Sequence, residues 1–430
     1  MSSSAGTGRP GSPRAQPAEP PSRAALARRI ISAAVDEAHP AQVIHASRGL
    51  GKSTLLRRLG ATLWQQGDRS ILLEFDTLCT CPADFPALLA GEIRRQLGLG
   101  DGWPGQASHD LARQLEALAA SPRPDPALAI DLALRLPAAL AADFHRDLYI
   151  LVDDLAEIGR FFRHAGLRGS LEAAAARLGE GRGARLIATV SPSARPARLL
   201  SAMHAAADGR LAVHPLDALP EEETMAIFER AGAPEPGAWF PATAGRPLYI
   251  EILAGQARSR TPAAALIDAL RAPAGPLHQE CRYDYHLLIE RSRGDAAVRG
   301  ILDLLAFQEG ATVSEIARHL RVALPTALDY LSWLLEVGLI VRAGAGYLYA
   351  DPLLKLWVRL NGPRPCDPAG EIEEFLRRPL ELPALPARRR GRRPRKADAH
   401  RWEAPDEPAV AATPPPSPRA NRRDDLIEID

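Results

Sequence analysis

At 430 residues, with 46% hydrophobic and 24% charged residues and a formal net charge of +1, the chain is long enough for two or three domains and carries no overall field that would draw it to a polyanion or a lipid surface. No run of about 18 apolar residues occurs, which excludes a helical membrane span, and the opening stretch "MSSSAGTGRPGSPRAQPAEPPSR" lacks the apolar core of a secretory signal. Cys79, Cys81, Cys281 and Cys366 form neither a disulfide framework nor a metal cluster and read as free thiols of a reducing, cytoplasmic compartment.

In chain order, residues 1–22 are rich in Pro, Ser, Gly and Ala and read as a disordered leader. A helical pattern follows from Ala24 to about Ala38. The short apolar run "AQVIHA" predicts a strand. It ends at a glycine-rich loop, and a helix is expected from Ser53 to about Gln66. "SILLEF" (70–75) is a second strand, residues 84–98 an amphipathic helix, and 101–142 a Pro/Gly-rich connection with further helices. "DLYILVDDL" (147–155), "ARLIATVS" (184–191) and "GRLAVHPL" (209–216) are three more apolar strands. Strands that alternate with helices in this way imply a parallel α/β sheet. The strand signals then fade, and 220–275 reads as a small helical unit. It begins at "LPEEETMAIFERAG", whose acidic residues suit the positive end of a helix.

The loop "HASRGLGKST" carries the first chemistry. Its spacing is A-x-x-x-x-G-K-S from Ala46 to Ser53, between a strand and a helix. Gly49 and Gly51 let the backbone curl so that the N–H groups of Ala46, Ser47, Arg48, Gly49, Leu50 and Gly51 surround a phosphate. Lys52 would reach the β- and γ-phosphates, Ser53 would offer its hydroxyl to Mg²⁺, and Thr54 stands beside it. The chain has only three lysines, Lys52, Lys355 and Lys396, so a lysine at 52 in an otherwise arginine-dominated sequence is informative. Ala46 stands where the usual pattern begins with glycine; a methyl fits there if φ is negative. The partner of such a loop is an apolar strand that ends in acid. "LYILVDD" supplies Asp153, to hold Mg²⁺ through water, and Asp154, to orient or deprotonate an attacking water. A helix cap is the plainer reading of the same aspartates. Ser191, after the next strand, would sense the γ-phosphate, with Thr189 the weaker choice.

Taken together, "ASRGLGKST", "LYILVDD", "RLIATVS", "HPLDALPEEETMAIF" and "ATAGRPLYIEILAG" resemble the AAA+/STAND group of P-loop ATPases, in particular its archaeal-type and origin-recognition-like members. The resemblance covers roughly residues 24–360. It implies a P-loop NTPase core over 23–217, a helical lid over 218–280, and ATP with Mg²⁺ as ligands. Gly245, Arg246 and Pro247 look like the lid motif of that group, so Arg246 and Pro247 are expected to face nucleotide across the cleft. No N/T-K-x-D motif is present, which argues against guanine selectivity. No arginine acting in trans is assignable, although Arg195 and Arg198 follow the third strand motif.

A third unit spans 285–361. "TVSEIARHL" opens with a capping box, Thr312 with Glu315, and is followed by a second helix near 325–337 and a hairpin around "AGAG". It resembles a winged helix-turn-helix. Its second helix carries Asp329 and Glu336 and no basic residue, whereas a base-reading helix exposes Arg, Lys, Asn or Gln. A packing or protein-contact role therefore suits that helix better. Arg318, Arg321 and Arg342 flank it and could touch the phosphates of duplex DNA. From 362 to 430 the chain is Pro- and Arg-rich and reads as a disordered tail. Within it "RRRGRRPRK", Arg388 to Lys396, packs seven positive charges into nine residues and resembles an interrupted minor-groove hook. Two functions are open at this point. One is an ATP-binding switch that hydrolyses slowly and relays its nucleotide state to the winged helix. The other is a non-enzymatic DNA-associated protein with a vestigial nucleotide site.

Overall fold

Three apolar runs, "AQVIH", "LYILVD" and "ARLIATV", are buried along almost their whole length, the requirement for strands covered on both faces. With β1 at Ala41–His45, β2 at Arg69–Glu74, β3 at Leu148–Asp153, β4 at Ala184–Val190 and β5 at Leu211–Pro215, the sheet has the order β2-β3-β4-β1-β5 and every pairing is parallel. The register sets His45 of β1 opposite Val190 of β4, and Glu74 of β2 opposite Asp153 of β3, so the carboxyl ends of the strands share one edge. Ligands of open α/β sheets bind at that edge, where the strand order reverses. The computed structural model describes residues 20–35, 41–163, 167, 183–192, 196–290, 292, 294–362, 364 and 366–378.

Each face of the sheet closes a core. Leu26, Ile30 and Ala34 of the first helix, Pro21–Val35, and Leu55, Leu56, Leu59 and Leu63 of the helix Lys52–Gln65 cover one face over Ile44, Leu151 and Ile187. Gly60 lets the second of these helices lie close, since a methyl there would stand 2.7 Å from the Leu151 side chain. The helices Phe85–Leu97 and Pro126–Phe144 cover the other face, with Phe85 edge-on to Phe75 and Phe161. A buried leucine, isoleucine or phenylalanine in such a core contributes roughly 1.5–3 kcal/mol.

After β5 the chain is helical, with helices at Glu221–Arg230, Pro247–Ala254, Pro262–Arg271 and Pro276–Glu290. Each of the three that begin with proline uses a residue whose fixed φ and missing N–H suit the first helical position. The winged unit follows. It comprises helices Asp295–Phe307, Val313–Leu320 and Leu324–Glu336, and a small antiparallel sheet of β6 (Ala311–Thr312), β7 (Ile340–Ala343) and β8 (Gly346–Tyr349) in the order β6-β8-β7. The capping box read from the sequence is present: the Thr312 amide donates to Glu315 Oε2 at 2.7 Å, and the Glu315 amide to Thr312 Oγ1 at 3.4 Å. The helices after β5 and the winged unit share one apolar core, running from Leu219 through Tyr249, Leu277 and Leu302 to Trp357 and Ile372.

That core corrects the reading of everything beyond 362 as disordered tail. Pro368–Arg377 is a helix, because Asp367 accepts hydrogen bonds from the amides of Ala369 and Gly370, Pro368 sets the first turn, and Ile372 is fully buried. The leader through residue 19, Arg195, and the tail from 379, including Arg388–Lys396, lie outside the described residues.

Candidate nucleotide site

The loop that leaves β1 is built as the spacing demands. Ala46 donates its amide to the Val190 carbonyl at 3.2 Å, which prolongs the sheet by one residue. Its φ is not positive, and its methyl is buried against the core of the first face, so alanine fits where glycine is usual. Gly49 and Gly51 adopt φ 82° and 84°, left-handed values that strain other residues, and Gly51 caps the helix Lys52–Gln65. That helix points its amino end, with its free N–H groups, at the loop. Ser53 is half-buried at the loop, whereas Thr54 is exposed.

Lys52 is buried and donates from Nζ to the Ser47 carbonyl at 3.2 Å. Burial pushes its ammonium below the ordinary lysine value, while Asp154 and then Asp153 pull it back up. The loop lysine and the two aspartates of β3 therefore share one electrostatic neighbourhood at the carboxyl edge. Burial, followed by repulsion from Asp153, raises the Asp154 carboxyl, and Lys52 opposes the rise. Thr189, fully buried on β4, donates to Asp153 Oδ1 at 2.5 Å and accepts from the Asp154 amide at 2.9 Å. Ser191 is buried just beyond the same strand.

The lid motif lies directly on the loop. Arg246 Nη1 donates to the Arg48 carbonyl at 3.0 Å, and the Leu248 amide to the Gly49 carbonyl at 3.2 Å. A methyl on Gly51 would stand 3.8 Å from the Pro247 ring. Gly245 is the residue this arrangement cannot replace. It has φ 68°, its carbonyl accepts from the Leu219 amide at 2.7 Å, and a Cβ would fall 2.1 Å from the Leu219 carbonyl oxygen.

Several partners of the site were invisible in the sequence. Arg23, in "PPSR", donates to the carbonyls of Leu50 at 3.3 Å and Asp217 at 2.5 Å, tying the first helix to the loop and to the strand-to-lid junction. Arg48 is held by Asp284 at 2.6 Å and Glu280 at 2.8 Å, one turn apart on the helix Pro276–Glu290, and lies over the Tyr283 ring at 4.5 Å. Burial is the largest single influence and opposes the Arg48 charge, but Asp284, Glu280 and Tyr283 together outweigh it and hold the guanidinium above the ordinary arginine value. Burial also raises the Asp284 carboxyl, against the pull of Arg48.

Arg246 pairs with Asp351 at 3.3 Å; Asp351 also accepts from Tyr249 Oη at 2.7 Å and caps the helix Pro352–Asn361 through the amides of Leu353 and Leu354. Gly338, just after the helix Leu324–Glu336, sits so close that a Cβ there would lie 3.3 Å from Pro192 and 3.8 Å from Ser47 Oγ. One signal for these contacts was legible: the "ADP" of "YADPLLKL" is a helix start. Nothing local told that its aspartate reaches a guanidinium in the lid.

The pattern suits Mg²⁺, which binds through one or two protein oxygens plus waters and phosphates rather than through a protein cage. Ser53 and Asp153 would hold it; when bound, it neutralises phosphate charge. Elsewhere, an open recess of about 550 Å³ lies at the amino end of β3, lined by Ala138, Ala141, Ala142, His145, Arg146, Asp147 and Gly183, at the opposite end of the strands from the loop.

The arrangement defines a P-loop NTPase core joined to a helical lid and a winged helix. Residues 295–341 match the bacterial ArsR regulatory protein family. Among solved structures, the chain is similar to a Walker-type ATPase of Pyrococcus abyssi at 16% identity, with TM-score 0.53, over 78% of this chain and 95% of that one. It is also similar to Cdc6p of Pyrobaculum aerophilum at 16% identity, with TM-score 0.36, over 85% of this chain and 98% of that one. No curated protein matches. Among the described residues, no helix is long and apolar enough to cross a membrane.

Proposed function

We propose that the protein is an ATP-dependent switch with slow, Mg²⁺-dependent hydrolysis, whose nucleotide state is relayed to the winged helix. The observation that carries the reading is the pair of arginines at the loop. Arg48, on the loop, and Arg246, whose Nη1 donates to the Arg48 carbonyl, are held by carboxylates of the helix Pro276–Glu290 and by Asp351 ahead of the helix Pro352–Asn361. An arriving triphosphate competes with Asp284, Glu280 and Asp351 for the same guanidinium groups. Arginine binds both anions in the same fork geometry, so the exchange is chemically direct. Hydrolysis follows the residues present. Water adds to the γ-phosphorus, its proton passes to Asp154, and the bond to the β-phosphate oxygen breaks, releasing ADP and phosphate. Lys52 stabilises the charge that develops on the phosphates. Aspartate at 154 reaches less far than glutamate would, which suits a slow step.

The match to a regulatory helix-turn-helix family favours a second reading, duplex DNA as the partner, through Arg318, Arg321 and Arg342, all exposed, and through Arg388–Lys396. Against base readout, the exposed face of Leu324–Glu336 presents Leu324, Leu328 and Leu335 with acidic neighbours. This favours a protein partner for that helix. The deciding experiment is ATP turnover by the purified chain with and without duplex DNA, beside Lys52→Ala. Turnover that vanishes in the variant supports the switch. Nucleotide binding as tight in Lys52→Ala as in the parent overturns it, and salt-sensitive DNA binding indifferent to ATP would favour the second reading.

A further inference from the structure

We propose that Thr189 is a positioning residue that gives the two aspartates at the end of β3 their separate roles, holding Asp153 for the metal and Asp154 for water. The proposal rests on the Mg²⁺–ATP reading above. Thr189 lies on β4 opposite Ile44 of β1 and is fully buried. A threonine hydroxyl has one proton and two lone pairs. Here the proton goes to Asp153 Oδ1 at 2.5 Å, and a lone pair receives the Asp154 amide at 2.9 Å. With its only donor engaged, Thr189 has none left for a phosphate oxygen.

The second bond matters because of the backbone it secures. Asp154 has φ 51°, a left-handed conformation that non-glycine residues seldom adopt. Successive residues of a regular strand point to opposite faces. A left-handed residue at the strand end breaks that alternation, and Lys52 is attracted by both carboxylates. Such outliers persist only where the surroundings hold them, and they gather at functional sites. Part of that hold is the Thr189 hydroxyl on the neighbouring strand. It fixes one oxygen of Asp153, leaving the other for a metal-bound water, and it anchors the amide of the left-handed residue. The Asp154 carbonyl then accepts the Glu157 amide at 2.9 Å and starts the 3-10 helix Leu155–Arg163, so the whole turn leaves the strand from this point.

The test compares the full chain with Thr189→Val, which keeps the shape and removes the hydroxyl, and Thr189→Ser, which keeps the hydroxyl. One readout is binding of a fluorescent ATP analogue as Mg²⁺ is titrated, with an EDTA baseline. The other is steady-state turnover. Partners that orient a metal ligand typically change metal affinity or activity by about 10- to 100-fold, so the valine variant should need roughly tenfold more Mg²⁺ for half-maximal binding. Its kcat should fall about tenfold or more with KM little changed, and serine should restore both. Binding in EDTA should match the parent. Should the valine variant fail to melt cooperatively, Thr189→Cys, with a weak donor of similar size, carries the same expectation.

A parent that requires Mg²⁺ while the valine variant shows unchanged Mg²⁺ dependence and kcat overturns the proposal and leaves the ATP reading standing. A parent that binds nucleotide without regard to Mg²⁺ overturns the ATP reading first and this proposal with it. A parent that binds Mg²⁺-nucleotide but does not turn it over leaves the Mg²⁺ titration to decide the role of Thr189.

Discussion

Replacing Asp284 and Glu280 together by asparagine and glutamine should tighten nucleotide binding. The two carboxylates hold Arg48 at 2.6 and 2.8 Å, with the arginine side chain 43% exposed and the acids 23% and 30% exposed. Exposed ion pairs contribute about 0.2–1 kcal/mol each, and partial burial puts these two near the upper end, so the contact opposes phosphate binding by roughly 1–2 kcal/mol. Because 1.4 kcal/mol is tenfold, the dissociation constant should fall about five- to thirtyfold. The fold should tolerate the change. Burial raises the Asp284 carboxyl, so the folded chain holds that charge at a cost above its raised pKa, and the cost shrinks as pH falls through it. Because the carboxyl is raised even with the attraction of Arg48 included, asparagine should not lower stability at that position. Equilibrium titration with a fluorescent ATP analogue at fixed Mg²⁺, at low and high salt, measures the effect; the gain should shrink as salt rises. Unchanged or weaker binding in the double variant would refute the competition between carboxylate and phosphate.

Gly245→Ala should cost about 2–4 kcal/mol of stability, because it combines a positive φ with a methyl 2.1 Å from a backbone oxygen; chemical denaturation measures it. Asp351→Asn should free Arg246 and raise the protease sensitivity of the winged unit in the nucleotide-free chain, since the aspartate both pairs with the lid and caps the helix Pro352–Asn361. Lys52→Ala should weaken ATP binding about tenfold or more and abolish turnover; retention of either would show that the loop is not the phosphate site.

The sheet was legible because its strands are buried on both faces and therefore read as unbroken apolar runs between turn residues. The glycine-rich loop was legible for the opposite reason: its turn is set by consecutive residues, Gly49 to Ser53, with both glycines at positive φ. Ala46 could be accommodated in advance because the only condition on it was the sign of φ. What could not be read were pairings across long chain separations. Arg48 meets Asp284, Arg246 meets Asp351, and Arg23 meets Asp217, each partner being an ordinary surface-type residue in its own segment. Thr189 could be named only as the weaker choice beside Ser191, and its bonds to Asp153 and Asp154 could not be read, because its hydroxyl looks like any strand threonine until β3 is placed beside it. The helix Pro368–Arg377 was hidden by composition: its Pro and Arg neighbours resemble the basic tail, while the single buried Ile372 and the cap at Asp367 hold it in the fold.

The placement of the charges has a consequence for how any partner of the winged helix would be controlled. Coupling between two sites is reciprocal: if phosphate draws Arg48 and Arg246 away from their carboxylates, then whatever draws the carboxylates away raises the affinity for phosphate by the same factor. Asp351 serves three roles at once, as partner of Arg246, acceptor for Tyr249 and cap of the helix Pro352–Asn361, so a shift of that helix changes the lid directly. Gly338 abuts both Ser47 of the loop and Pro192 beyond β4, so the end of the helix Leu324–Glu336 meets the nucleotide edge of the sheet. A partner engaging the exposed leucines of that helix would therefore act through an element whose end reaches the loop at Ser47. Its binding should strengthen or weaken nucleotide affinity measurably, in either direction, and the Asp284→Asn, Glu280→Gln variant should respond to it less than the parent does.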